Sequence, residues 1–279
     1  MLALLSQLAG PAILFAILIV VFRLIDFTRP KALRLPLIRR HRLTDLAYWL
    51  LGPLVTENIG KVAIVAMVVP VALLAYGKVD PDLIQRGFGP LSRLPILLQA
   101  GLGLIVADLA SYWAHRAFHR GRLWRFHAVH HSIIALDWMS ALRVHPVNDV
   151  MMRMLTTLPI LAFGFSPMAV GGIASMLGLL AIVVHANVDW DWGPLRYLIA
   201  SPRFHRWHHS DEPQALNKNF AGMFPLWDIA FGTFYMPRGL APRSFGTDMP
   251  VPDGVVGQML FPFRRRKSAA AGGTAADGV

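Results

Sequence analysis

The 279-residue chain is 55% hydrophobic and 15% charged, with a mean hydropathy of +0.48, which excludes an ordinary soluble domain, where roughly a quarter of residues carry charge. It contains no cysteine, so disulfides, thiolate ligands and Cys-ligated iron–sulfur clusters are excluded and any bound metal falls to histidine or carboxylate. The net charge of +11 comes from basic residues flanking apolar runs, with no nucleic-acid-binding motif; it marks a cytoplasmic face against anionic lipid, not a nucleic-acid partner.

Taken in order, Ala3 to Phe22 is apolar and long enough to cross a bilayer. No Lys or Arg precedes it as in a signal peptide, so it reads as a retained anchor. The stretch Arg23 to Arg42 holds seven basic residues (Arg23, Arg29, Lys31, Arg34, Arg39, Arg40, Arg42), which places it in the cytoplasm and the N-terminus outside. Leu46 to Val55 is too short to cross and is interrupted by Gly52-Pro53, so it is expected in the interface. Val62 to Tyr76, with Pro70 inside, is a short second span, and the weakly basic loop Gly77 to Arg93 belongs outside.

A third span from Leu94 to about Trp113 then runs inward and delivers His115 and His119 at its cytoplasmic end. Between Met154 and Val184, 31 mainly apolar residues would make one helix of about 46 Å against a hydrocarbon core of ~30 Å. The break at Gly164-Phe165-Ser166-Pro167 divides them into a short hairpin, so His185 returns to the side of His145. The fold class expected is all-α: a polytopic membrane bundle of about five spans, two of them the hairpin, under a cytoplasmic helical cap that carries the histidines. Pro225 to Tyr235 is a short apolar piece of that cap, Arg264 to Lys267 suits lipid headgroups, and the closing SAAAGGTAADGV reads as disordered. Three parts result: membrane helices with a basic loop (1–107), a histidine-rich catalytic region (108–237), and a basic segment with tail (238–279).

Histidine carries the chemistry. His115 and His119 are four apart, His127, His130 and His131 form an HxxHH cluster, and His205, His208 and His209 repeat it, with His145 and His185 between. Residues three and four apart share a helix face, so each group can aim imidazoles at one point. So many titratable groups at the ends of apolar helices need partners, and metal supplies them; His41, alone in the basic loop, is read as having no metal role. Ten histidines exceed the three or four ligands of one zinc site, whereas two ions with four or five imidazoles each leave positions for oxygen. Imidazole suits iron, copper and zinc alike. No HExxH helix is present, and a bis-His haem pair would use at most four histidines.

These residues resemble the fatty acid hydroxylase/sterol desaturase superfamily of integral-membrane non-haem di-iron oxygenases. The resemblance runs from about Asp108 to Pro237 and rests on HRAFH (115–119), WRFHAVHH (124–131), ALRVHP (141–146), HANVD (185–189), PRFHRWHH (202–209) and NKNFAGMFPLWDIAFGTFYMP from Asn217. It implies two iron ions, with zinc a substitute in purified protein, held by His115, His119, His127, His130, His131, His185, His205, His208 and His209, with His145 as a tenth. It further implies O2 as co-substrate and hydroxylation or desaturation of an unactivated C–H bond in a lipid-like substrate drawn from the membrane. Asp108, seven residues before His115, is placed to orient an imidazole, and Asn187, Asp189, Asn219 and Asp228 are candidates for the same support or for capping turns.

Trp113, Phe118, Trp138 and Trp207 are candidates to line the substrate space. The chain lacks the HPGG haem-domain motif of some relatives, since His145-Pro146 is followed by Val-Asn, so a separate ferredoxin- or cytochrome-type donor is implied. The composition and the lack of an ER-retrieval signal favour a bacterial inner membrane. The alternatives are a zinc-dependent membrane hydrolase and a non-catalytic metal-binding or transport protein; ligands clustered at helix ends instead of recurring along the spans disfavour transport. The oligomeric state is not legible.

Overall fold

The computed structural model describes residues 2–28, 35–36, 40–80, 82, 87 and 90–264. The expected disordered tail and the basic residues Arg29, Lys31, Arg34, Arg39, Arg265, Arg266 and Lys267 lie outside the described residues. The described elements are helical throughout, with a lone bridge between Ser210 and Phe245.

A mainly apolar run with Pro11 inside it forms α1 (Leu2–Phe27). Ile13, Ile17, Val20 and Leu24 stay exposed, whereas Phe15 packs on Trp49 at 4.9 Å and Phe22 stacks on Trp138 at 5.3 Å. One face of α1 is thus committed to protein and the other is left for lipid.

The next segment departs from expectation. α2 (Arg42–Leu51) runs into α3 (Glu57–Tyr76) through one π-helical turn, Gly52–Thr56. Pro53 has no N–H to offer an ordinary helical turn, and the wider turn absorbs it without a chain reversal. Leu46–Val55 is therefore part of a continuous 33-residue rod, Arg42–Leu74, and not a separate interfacial piece. At 1.5 Å per residue the rod is about 50 Å long and overshoots a ~30 Å core. The overshoot includes α2, whose Tyr48 and Trp49 are buried against protein.

α4 (Ile96–Phe118) leads to α5 (Trp124–His131). The expected hairpin follows as α6 (Pro146–Ala162) and α7 (Pro167–Val184), turning at Gly164 with φ +72°. It starts at Pro146 and not Met154 because His145 caps it, Nδ1 accepting from the Val147 amide at 3.1 Å. Gln99 of α4 fastens the turn, its amide donating to Ser92 O and Leu94 O and its carbonyl accepting from the Ser166 amide. Both open ends return to the histidines, since Asn148 meets His127 and His185 meets His130. The segments Ala9–Phe27, Arg42–Leu74 and Ile96–Phe118 are long and apolar enough to cross a membrane. α6 and α7, of 17 and 18 residues, each reach about 26–27 Å.

The rest packs as a cap over the histidine-bearing ends: a 3-10 turn at Trp138–Leu142, α8 (Pro202–His208), α9 (Leu226–Ala230) and α10 (Val255–Leu260). The C-terminal segment is strapped to α2 by Tyr48 Oη donating to Gln258 Oε1 at 2.9 Å and Thr44 Oγ1 donating to Asp253 O at 2.8 Å. Beneath it lies a buried ion pair. Arg143 Nε and Nη2 donate to Asp45 Oδ1 at 2.9 and 2.5 Å, both residues being 2% exposed or less. Truncating one partner of such a pair strands the other charge and costs roughly 3–5 kcal/mol. We expect Asp45→Ala to lower the unfolding midpoint in detergent sharply. Asp149→Ala, which removes the more exposed pair to Arg153, should move it by less than about 1 kcal/mol's worth.

Candidate metal centre

Four elements converge. α4 presents His115 in its last turn and His119 just after it, α5 presents His127, His130 and His131, the end of α7 presents His185, and α8 presents His205 and His208 with His209 following. Nine histidines separate into two groups: His115, His119, His127, His131 and His208, and His130, His185, His205 and His209. Within each group the ligand atoms lie within 4.8 Å of one another.

The division follows helical geometry. Each pair four apart (His115/His119, His127/His131, His205/His209) stays in one group. The middle histidine of each HxxHH cluster crosses over: His130 joins the group of His205 and His209, and His208 joins that of His127 and His131. Successive residues on a helix are about 100° apart, so positions three and four along from the first diverge by that angle and reach different points. One HxxHH cluster therefore serves both sites.

Hydrogen bonding sets the tautomers. His130 Nδ1 lies 3.0 Å from Arg143 O and His185 Nδ1 lies 2.6 Å from Ala181 O. A carbonyl only accepts, so both rings carry their proton on Nδ1 and present a bare lone pair at Nε2. Yet these two Nε2 atoms are 3.1 Å apart, and His185 Nε2 is also 3.1 Å from His205 Nε2. Two lone pairs facing each other at that distance repel unless a cation lies between them. The other group repeats the pattern: His115 Nδ1 donates to Phe220 O and His127 Nδ1 to Asn148 Oδ1, with their Nε2 atoms 3.0 Å apart.

His208 Nδ1 likewise donates to Lys218 O, with Nε2 3.1 Å from His131 Nε2. His119 Nε2 is buried without a hydrogen-bond partner. Burial pushes the His127, His130, His205 and His209 imidazoles well below their ordinary range, and the neighbouring imidazoles push them further. They are neutral at pH 7, the state a metal ligand requires. The residues fit a pair of metal ions, and the all-imidazole donor set suits iron, copper or zinc.

Several sequence-predicted residues have other tasks. His145 belongs to neither group: Nδ1 caps α6 and Nε2 donates to Met259 O at 3.1 Å, so the tenth-ligand expectation is corrected. Asp108 does not orient an imidazole. Its carboxylate accepts from the amides of Met223 and Phe224 at 2.8 Å and from Trp227 Nε1 at 3.0 Å, because those donors need a buried acceptor. Asp228 accepts from the amides of Phe220 and Ala221. Asn219, at φ +59°, donates to Phe204 O and Tyr235 O. These three therefore act one step back, fixing the segment whose Lys218 and Phe220 carbonyls hold His208 and His115. Asp189 pairs with Arg203 at 2.6 Å, away from the imidazoles. Asn148, which touches His127 directly, has no counterpart in the sequence analysis.

Two cavities approach the centre. A polar one of about 530 Å³ is lined by His119, His131 and His208 together with Asp211, Asn217 and Asp248. An apolar one of about 220 Å³ lies among α1, α2 and the chain just past His185, walled by Phe15, Phe22, Trp138, Asn187 and Val188. Of the candidate aromatics, Trp138 lines this space, Trp113 is half exposed against Phe231, Trp207 is buried on Tyr235, and Phe118 is fully buried near His127.

Residues 100–233, which carry all nine converging histidines, match the fatty acid hydroxylase family model. The chain is similar to the ornithine lipid hydroxylase OlsE of Rhizobium tropici, 35% identical over 177 residues, covering 62% of this chain and 52% of that protein. It is similar to the alkylglycerol monooxygenases of Caenorhabditis elegans, 30% identical over 51% of this chain and 28% of that protein, and of Homo sapiens, 28% identical over 57% and 41%. The matched part spans about half or less of each of these relatives. No solved structure matches.

Proposed function

We propose that the chain is an O2-dependent di-iron oxidoreductase that hydroxylates an unactivated C–H bond of a membrane lipid. The observation that carries the reading is the facing pair of Nε2 lone pairs at His130 and His185, repeated at His115 and His127. His115, His119, His127, His131 and His208 would hold one ion, and His130, His185, His205 and His209 the other. When bound, the two irons supply the reductive activation of O2 that breaking such a bond demands. The relatives named as hydroxylase and monooxygenase favour oxygen insertion over desaturation.

The chain's own part is positional. Backbone carbonyls and Asn148 fix each ring with Nε2 inward, so the ligands do not reorganise during turnover. Burial keeps bulk water from the four-histidine group, while the polar cavity gives the five-histidine group a wet side where protons and a separate ferredoxin- or cytochrome-type donor approach. We place five crossings in a bacterial inner membrane, with α6 and α7 as the short pair and the centre cytoplasmic. A zinc hydrolase is the weaker reading, because the ligand groups contain no carboxylate to serve as general base.

The test is metal content of protein purified from iron-replete cells, with mass spectrometry of the host lipids. About two irons per chain and lipids bearing one added oxygen are expected. Well-folded protein without metal would overturn the reading.

A further inference from the structure

We infer that the apolar cavity between α1 and α2 binds a membrane lipid with an acidic headgroup, Arg23 holding the acid group and Phe15, Phe22 and Trp138 clasping the adjoining chain. The identity of this lipid as substrate rests on the proposed lipid oxidation; the binding site itself does not.

The cavity differs from the polar one in kind. Its wall is aromatic and aliphatic, with Phe15, Ile19 and Phe22 from α1 facing Trp138 and Met139. Its charged residues sit where both helices leave the apolar region, at Arg23, Asp26, Arg42 and Asp137. Arg42 is spent on Asp137, with Nη1 2.9 Å from Oδ2. Arg23 is half-buried and makes no ion pair among the described residues, although it lines a largely apolar space where a cation calls for an anion. A phosphate or other acid group at the membrane surface meets that need.

Access and direction agree. Val20 and Leu24 of α1 are exposed on the outer face, and Leu43 on the rim is 82% exposed, so the mouth opens onto surface that suits lipid. The inner wall is Asn187 and Val188, two and three residues past His185, so a chain entering here runs toward the four-histidine group. α1 and α2 both lie outside the matched residues 100–233; Arg23, Phe15 and Phe22 are thereby contributed by a part of the chain that the family model does not match, while Trp138 comes from inside it.

The ordinary alternative is that Arg23 attracts bulk headgroups, as basic residues at helix ends do. The whole chain, purified in detergent from iron-replete cells, is incubated with phosphatidylglycerol or with diacylglycerol of the same chains, and retained lipid is counted by native mass spectrometry. A single phosphatidylglycerol should be retained, with diacylglycerol binding about tenfold or more weaker. Arg23→Gln should remove that preference and Leu46→Trp, which fills the cavity, should weaken both lipids, while Arg93→Gln, at an exposed site elsewhere, changes nothing. Equal binding of the two lipids, or equal loss in Arg23→Gln and Arg93→Gln, overturns the site. Metal content measured on the same samples verifies folding and separates this result from the function: loss of lipid with metal retained sinks the cavity alone, and retained lipid without metal sinks the oxidation alone.

Discussion

Replacing His130 and His185 together by alanine is expected to halve the bound metal and abolish product formation. The two residues supply half of the four-histidine group, and the two imidazoles left, His205 and His209, fall short of the three protein ligands that even an open catalytic site uses. The five-histidine group loses no ligand, so about one metal per chain should stay. Stability gives a second reading. An ion bound only by the folded state adds about 4 kcal/mol when its concentration is a thousand times Kd. Chelator should therefore lower the unfolding midpoint of the wild-type protein strongly and that of the double variant by roughly half as much. Two metals retained in the variant would show that these imidazoles are not ligands; complete loss would show that the two groups bind as one unit.

The grouping of the ligands also shows what a sequence displays. The two HxxHH clusters account for six of the nine histidines that converge and the His115/His119 pair for two more, because residues four apart lie on one helix face and that relation is local, whereas His185 stands alone. The HxxHH spacing suggests that each cluster aims at a single point, but the middle histidine of each crosses to the other site. The crossing depends on how α5 and α8 face each other, a relation between residues 77 apart at His131 and His208. The hairpin was legible for the opposite reason: Gly164 to Pro167 breaks the helix locally, and length alone forbade a single span. Gly52-Pro53 looked equally like a break, but a π-helical turn satisfied the backbone there, and residue type does not distinguish these outcomes.

Asp108 meets backbone amides in place of an imidazole for a physical reason. Asp108 stands on the same helical face as His115, and the spacing invited a bond between them. A buried carboxylate goes to whichever donors have no other acceptor, and the amides of Met223 and Phe224 arrive from a loop 115 and 116 residues away. The histidine-bearing framework was thus readable from nearest neighbours, and the groups that orient it were not, because their partners come from distant chain.

Asn148 is the strongest instance and leads to the second large effect. It is 3% exposed, stands in the first turn of α6, and its Oδ1 accepts from His127 Nδ1 at 2.8 Å. That bond makes His127 Nε2 a lone pair directed at His115 Nε2, 3.0 Å away. Leucine at this position would fill similar volume, leave the Nδ1–H buried without an acceptor at a cost of about 1–3 kcal/mol, and free the ring to turn. Loss of such an orienting partner typically lowers metal affinity or activity 10–100-fold. Titration with chelators of graded strength should show that drop for Asn148→Leu at one of the two metals only, the five-histidine one, with the other unchanged. Asn148→Asp keeps an acceptor in place and should hold the metal nearly as the wild type does. If Asn148→Leu binds both metals normally, His127 is held by packing alone. If Asn148→Asp fails as badly as leucine, the amide serves the fold of α6 and not the orientation of the ring.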